Sequence, residues 1–256
     1  MVLALDTLAF DLLRLLWPLL RIGALCMVMP VVGAGSVPAP VRVLLAVSLS
    51  LLVAPQIAVP SPAEMLSLAT VLLAVREIVL GIAMGLVLKF IFDAVALGGQ
   101  SMAMSMGLGF AVFIDSARGI NVPVLGQFLV VLATLIFIAL DGHLRAIELV
   151  VSSFHVIGIG GGVDSSLFGQ LLEFSAVIFT GAIRIALPAI TALLIVNLAF
   201  GVMSRAAPTL NLFAVGFPVS LLFGVLAVMV SLDGLAGVMS ELTDAALATL
   251  ARMAGA

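Results

Sequence analysis

Residues 64–98 read EMLSLATVLLAVREIVLGIAMGLVLKFIFDAVALG. As a single α-helix at 1.5 Å per residue this run is about 50 Å long. A hydrocarbon core of about 30 Å needs only ~20 apolar residues. The run also carries Arg76, Glu77, Lys89 and Asp93 within its apolar body. A straight lipid-facing span fits neither its length nor its charges. The run therefore reads as a bent helical hairpin or as a helix that leaves the bilayer. Residues 170–204 pose the same choice, being equally long and interrupted by Arg184, Pro188 and Asn197.

Composition sets the wider class. Of 256 residues, 64% are hydrophobic and 9% charged, against about 25% charged in a typical soluble domain. Mean hydropathy is +1.42. An all-α integral membrane-type protein follows, since only helices and closed barrels satisfy their backbones in lipid. One Trp and no Tyr leave the interfacial aromatic belt nearly empty, which argues against a bundle lying wholly in lipid. The single Cys26 excludes an internal disulfide and reads as core. A net charge of −3 gives no basis for a nucleic-acid partner. The N-terminus, with Asp6 and Asp11 and no basic region, does not read as a cleaved signal peptide.

Working outward, apolar segments fall at 7–29, 37–54, 64–98, 124–141, 170–204 and 211–232, followed by an amphipathic tail at 233–254. Proline marks most junctions: Pro30, Pro38, Pro40, Pro55, Pro60, Pro62, Pro123, Pro208 and Pro218. Gly81 and Gly85 form a small-xxx-small pair that lets two helices approach closely. The Arg count of the connections is too even to orient the chain.

The charges in apolar context are Arg14, Arg21, Arg76, Glu77, Lys89, Asp93 and Arg184. Arg14 and Arg21 share a helix face, and Lys89 and Asp93 are spaced to meet. Asp141, Arg145 and Glu148 form a similar local cluster. A central Arg184 costs about 2.5–3.5 kcal/mol to insert, which the surrounding Leu, Ile, Val and Phe offset. Such groups read as buried pairs between packed helices, or as the lining of a hydrated path or subunit interface. Acids lie beside bases and His143 is twelve residues from His155, so neither a proton relay nor a metal site is indicated. No hydrolase, zinc-protease or nucleotide-binding motif is present, and an enzyme is not expected. No cofactor is expected either.

Residues 101–115, SMAMSMGLGFAVFID, have an unusual composition for a connection between apolar segments. They are uncharged up to Asp115 and rich in methionine, glycine and phenylalanine. Methionine is unbranched and re-packs easily, glycine opens backbone conformations closed to other residues, and apolar bulk dewets a narrow pore. On residue chemistry alone such a segment is either an ordinary packed core turn or a deformable apolar seal.

Two stretches are more specific. They are MGLGFAVFIDSARGINVPVLGQF from Met106, and NLAFGVMSRAAPTLNLFAVGFPVSLLFG from Asn197 to Gly224. Both resemble the FliR/SctT family of the type III secretion core export apparatus. The opening LLRIGALCMVMPVVGAGSVPAPVRVLLAVSLSLLVAP and the middle DGHLRAIELVVSSFHVIGIG resemble it too, so the likeness covers nearly the whole chain. GFAVFID at 109–115 and GFP at 216–218 favour the flagellar branch over the injectisome branch.

The resemblance implies a single export-gate domain over 1–256, with a FliP-like part followed by a FliQ-like hairpin. It implies overlong, bent helical hairpins in a helical hetero-oligomeric assembly with FliP and FliQ homologues. FlhB and FlhA homologues lie nearby, lipid surrounds part of the complex, and unfolded polypeptides pass through a central channel. The expected location is the flagellar basal body in the bacterial inner membrane, where the assembly serves flagellum construction. In the family the loop matching 101–115 projects into the channel as a plug. Within it the residue chemistry reads Met102, Met104 and Met106 as a deformable seal, Phe110 and Phe113 as a wedge, and Gly107 and Gly109 as the hinge. Asn197, Arg205, Pro208, Asn211, Gly216, Phe217 and Pro218 take structural or assembly roles. An injectisome SctT-type subunit is the alternative within the family. A small-solute secondary transporter is the rival outside it, supported by the two interrupted segments but lacking an inverted repeat. A scaffold without channel contact is a third reading.

Overall fold

In the computed structural model the backbone is described for residues 2–57, 68–108, 124–160, 166–206 and 212–255, and side chains within these from residues 14, 167 and 216 onward in the first and last two stretches. Among the described residues the chain is helical throughout, with no strand. The helices are α1 (Val2–Val28), α2 (Ala39–Val53), α3 (Leu68–Ser105), α4 (Val124–Ala139), α5 (Gly142–Val156), α6 (Ser166–Ser175), α7 (Val177–Ala206) and α8 (Leu212–Ala254). Four described stretches are long and apolar enough to cross a membrane: Ala39–Gln56, Leu68–Ser105, Leu167–Ala206 and Gly216–Ala254. The pair Val124–Ala139 and Gly142–Val156 passes only when taken together.

Of the two readings open for residues 64–98, the described part, from Leu68 onward, is one unbroken helix and not a hairpin. α3 runs 38 residues without a break and continues past Gly98 and Gly99 to Ser105. α8 is longer still at 43 residues and absorbs the tail at 233–254 into the same helix. Residues 142–156, absent from the apolar segments, form α5. Its buried positions Gly142, Ala146, Val150, Ser153 and Phe154 recur at helical spacing on one face.

The helices sort into two compact units. One comprises Met1–Phe90, Asp141–Ser175 and Asp244–Ala256; the other comprises Ile91–Leu140 and Ala176–Thr243. α3 and α8 each contribute to both.

In the first unit α1 and α2 are antiparallel. Arg14 near one end meets the α2 C-terminus, donating from Nε to Ala54 O and from Nη2 to Pro55 O, each at 2.7 Å. α3 runs parallel to α1. A Cβ at Gly81 would collide with Arg21 O, and one at Gly85 would sit 2.9 Å from Val28 Cβ. The small-xxx-small pair therefore does bring two helices together, and it does so within one chain. Trp17, Arg21, Ile22, Leu25 and Cys26 form the buried face of α1, and Met29 just beyond it is buried too.

In the second unit α4 runs antiparallel to α3. Phe92 and Phe137 meet edge to face at 5.4 Å, an arrangement that aligns ring edge and ring face electrostatically. Seven residues further along α3, a Cβ on Gly99 would lie 2.6 Å from Gly126 Cα. Two backbones touch there because neither residue has a side chain. α7 packs beside α3, with Gly181 against Ala94. α8 returns antiparallel to α7, and Ser220 Oγ donates to Asn197 Oδ1 at 3.3 Å.

Candidate functional site

Two constellations stand out, one in each unit. In the second unit, the C-terminal end of α3 carries the start of the methionine-rich segment. Residues 101–105 belong to the helix, so this part of the segment is not a loop. Helical spacing separates the three methionines. Met102 and Met106 are buried, whereas Met104 is 61% exposed. Met106 fills the space beside Gly224, where a Cβ would collide with its side chain. Gly107 then takes a left-handed φ of 83°, which a side chain disfavours, and Leu108 N closes the turn onto Ala103 O at 3.1 Å. Such 6→1 closure satisfies helix-end carbonyls and stops the helix. Phe217 from α8 lies over Gly107, its Cδ2 3.4 Å from where a Cβ would stand.

Of the seven residues expected to plug a channel, the structure thus places two in a helical core, one on the surface and one at the helix-stop turn. Gly109, Phe110 and Phe113 lie outside the described residues. Among the motif residues of the second stretch, Asn197 accepts from Ser220, Arg205 occupies the last turn of α7, and Pro218 lies inside α8. Gly216 is half-buried and Phe217 exposed. Pro208 and Asn211 fall outside the described residues.

In the first unit the charges converge. Arg21 is fully buried and donates three ways: Nε to Glu77 Oε2 at 2.7 Å, Nη1 to Ser153 Oγ at 2.9 Å and Nη2 to Ile157 O at 3.0 Å. Its guanidinium stacks 4.1 Å from the Phe154 ring centroid, a favourable cation–π placement. Glu77 is fully buried as well. Its second oxygen stands 3.7 Å from Arg76 Nη1 without a hydrogen bond, and the three guanidinium nitrogens of Arg76 are buried and unbonded. α1, α3 and α5 are thereby tied through one side chain. Arg21, Glu77 and Arg76 meet in one buried cluster, and the partners on α5 carry no signal in the sequence, being 132 and 136 residues away.

Other charges depart from the expectation of burial. Arg184 pairs with Glu241 at 3.0 Å, and both side chains are more than half exposed. Lys89 is also exposed, and Asp93 half-buried. Helical registry explains this: each of the two cations points away from the face that carries the neighbouring core residues Leu88 and Ile185. Arg145 does not join a local cluster with Asp141 and Glu148 but reaches Asp244 of α8 at 3.0 Å.

Residues 12–246 match the model for bacterial export proteins, family 1. The chain is 40% identical over 210 residues to the flagellar biosynthetic protein FliR of Escherichia coli strain K12, covering 82% of this chain and 80% of that protein. It is 37% identical over 211 residues to FliR of Pectobacterium carotovorum, with the same coverage. A more distant likeness, 28% over 207 residues and 79% of both chains, is to FliR of Bacillus subtilis.

Proposed function

This chain belongs to family 1 of the bacterial export proteins, and on that premise we propose that it is a membrane-embedded component of the flagellar export apparatus and forms part of its central channel. The observation that carries the reading is the family match over residues 12–246 together with relatives named for flagellar biosynthesis. The finer reading is an export gate assembled with FliP and FliQ homologues, beside FlhB and FlhA homologues, in the bacterial inner membrane. The antiparallel pair α7–α8 is the FliQ-like hairpin, and the preceding helices are the FliP-like part.

Within this reading the segment after α3 seals the channel. The chemistry supports a division of labour. Met102 and Met106 anchor the base of the segment inside the helical core, and Gly107 turns the chain out of the helix. Met104, exposed on α3, is the described part of the segment placed to contact a passing polypeptide. An apolar plug of this kind excludes ions while yielding to chains of variable side chain.

The test has two arms. Affinity purification of the tagged chain from its native membrane should recover FliP and FliQ homologues in a stable complex; recovery of the chain alone refutes the assembly. Deletion of Met106–Phe113 in the assembled complex should raise ion leakage across the membrane while the complex still forms. Unchanged leakage refutes the plug.

A further inference from the structure

Between α1 and α2 of the first unit lies a cavity of about 510 Å³. Its walls are apolar, formed by Leu19, Gly23, Met27 and Ala46 among others, and Arg42 is the one charged residue that lines it. The rim residues Met27 and Val43 are exposed, so the cavity opens to the outside of the unit. At Gly23 the wall is open space: a Cβ there would meet nothing within 4 Å. Leu19 and Met27 are eight residues apart on one helix, which makes the cavity about 12 Å long. That compares with about 15 Å for half of a hydrocarbon core.

Three observations set the charge at one end. Arg42 donates from Nη2 to Ala34 O at 2.7 Å and Val37 O at 2.8 Å, and its Nε is buried without a partner. Those carbonyls fix its position, and among the described residues no carboxylate pairs with its positive charge. α2 begins at Pro38 with no side-chain cap and no acidic residue in its first turn, so the positive end of the helix dipole adds to the guanidinium. Arg42 also sits in the first turn of a stretch long enough to span a membrane, Ala39–Gln56. The cation therefore stands at one end of an apolar stretch of spanning length, and the cavity runs from it along that stretch.

We propose that this cavity binds one acyl chain of an anionic phospholipid, with the lipid phosphate held by Arg42 at the N-terminal end of α2. Charge complementarity selects the anionic headgroup, and the apolar length beneath it selects the chain. A zwitterionic lipid fits the apolar part but brings a second positive charge to a site that already has one. A free anion fits the cation but leaves the cavity unfilled.

The experiment is native mass spectrometry of the full chain released from detergent containing phosphatidylglycerol or phosphatidylcholine with identical acyl chains. One phosphatidylglycerol should be retained, in preference to phosphatidylcholine by roughly tenfold or more, as a charge-assisted contact provides. Arg42→Gln should remove the preference. Gly23→Leu, which grows into open space on a helix and improves helix propensity, should abolish retention of both lipids. Melting temperatures read alongside establish that both variants fold; if Arg42→Gln unfolds, Gly23→Leu carries the test alone. Equal retention of the two lipids, undiminished binding in Gly23→Leu, or displacement of the lipid by millimolar inorganic phosphate would each overturn the assignment. So would a purified FliP–FliQ complex in which a partner helix fills the cavity and no lipid is retained.

Discussion

Replacing Glu77 by leucine removes the one carboxylate that faces the buried Arg21 guanidinium at 2.7 Å. Arg21 retains its hydrogen bonds to Ser153 and Ile157 and its stacking on Phe154, yet its charge loses compensation in a site closed to water. Breaking a buried pair by removing one partner costs about 3–5 kcal/mol. Arg76 lies beside the same carboxylate at 3.7 Å, so among the described residues Glu77→Leu leaves two guanidiniums without an anion and should fall at the upper end. At ~2–4 °C per kcal/mol for a domain of this size, the melting temperature should drop by roughly 6–20 °C. Trp17 is the only tryptophan, buried and one helical turn before Arg21, so its fluorescence reports unfolding at the site itself. The double change Arg21→Met with Glu77→Leu removes both charges of the closer pair and should recover part of the loss, since apolar replacement of a buried pair is often neutral or stabilising while Arg76 still lacks the carboxylate. A melting temperature for Glu77→Leu within about 2 °C of the parent, or a double variant no more stable than the single one, would refute this account.

Other substitutions separate packing from sealing. Met102→Ser removes a buried side chain and should destabilise by about 2–5 kcal/mol in thermal unfolding. Met104→Ser should stay within about 0.5 kcal/mol while raising ion leakage of the assembled gate; the opposite ranking of the two would reverse the roles assigned to them. Gly99→Leu drives a side chain into the Gly126 backbone and should cost about 1–3 kcal/mol or more. Gly224→Ala meets the Met106 side chain where Gly99→Leu meets backbone, and should sit at the low end of that range, a difference that denaturation of the two variants side by side checks. Arg184→Gln removes an exposed pair, so the isolated chain should lose less than ~1 kcal/mol; a larger loss in the purified complex than in the chain alone would mark Arg184 as an interface residue.

The all-helical membrane class was legible in composition, because the backbone has few ways to satisfy itself in lipid. Charge and length in residues 64–98 left a hairpin and a single long helix both open, and the unbroken α3 decides for the helix. Hydropathy failed at α5, where Arg145, Glu148 and two serines dilute the apolar signal. The helical period survived there, and Gly142, Ala146 and Val150 would have revealed it. Glycines misled in the other direction. Gly98 and Gly99 read as the end of a span, but they are helical positions kept small so that Ala182, Ile185 and Gly126 can come close. Which charges are buried could not be read from spacing, because a residue's exposure depends on elements far along the chain. Glu241 for Arg184 and Asp244 for Arg145 are 57 and 99 residues distant. The methionine segment was recognised as apolar mass on a hinge, yet its division into buried and exposed side chains appeared only once α3 was seen to continue through Ser105.

The ties of Arg21 also impose an order in time. Glu77 is made 56 residues after it and Ser153 132 residues after it. At about 5–20 residues per second, roughly 7–26 s of synthesis separate the arginine from its last side-chain partner. Throughout that interval α1 has left the ribosome carrying a guanidinium with no anion or no serine to receive it. The buried face of α1 therefore completes its polar contacts only after α3 and then α5 have been made.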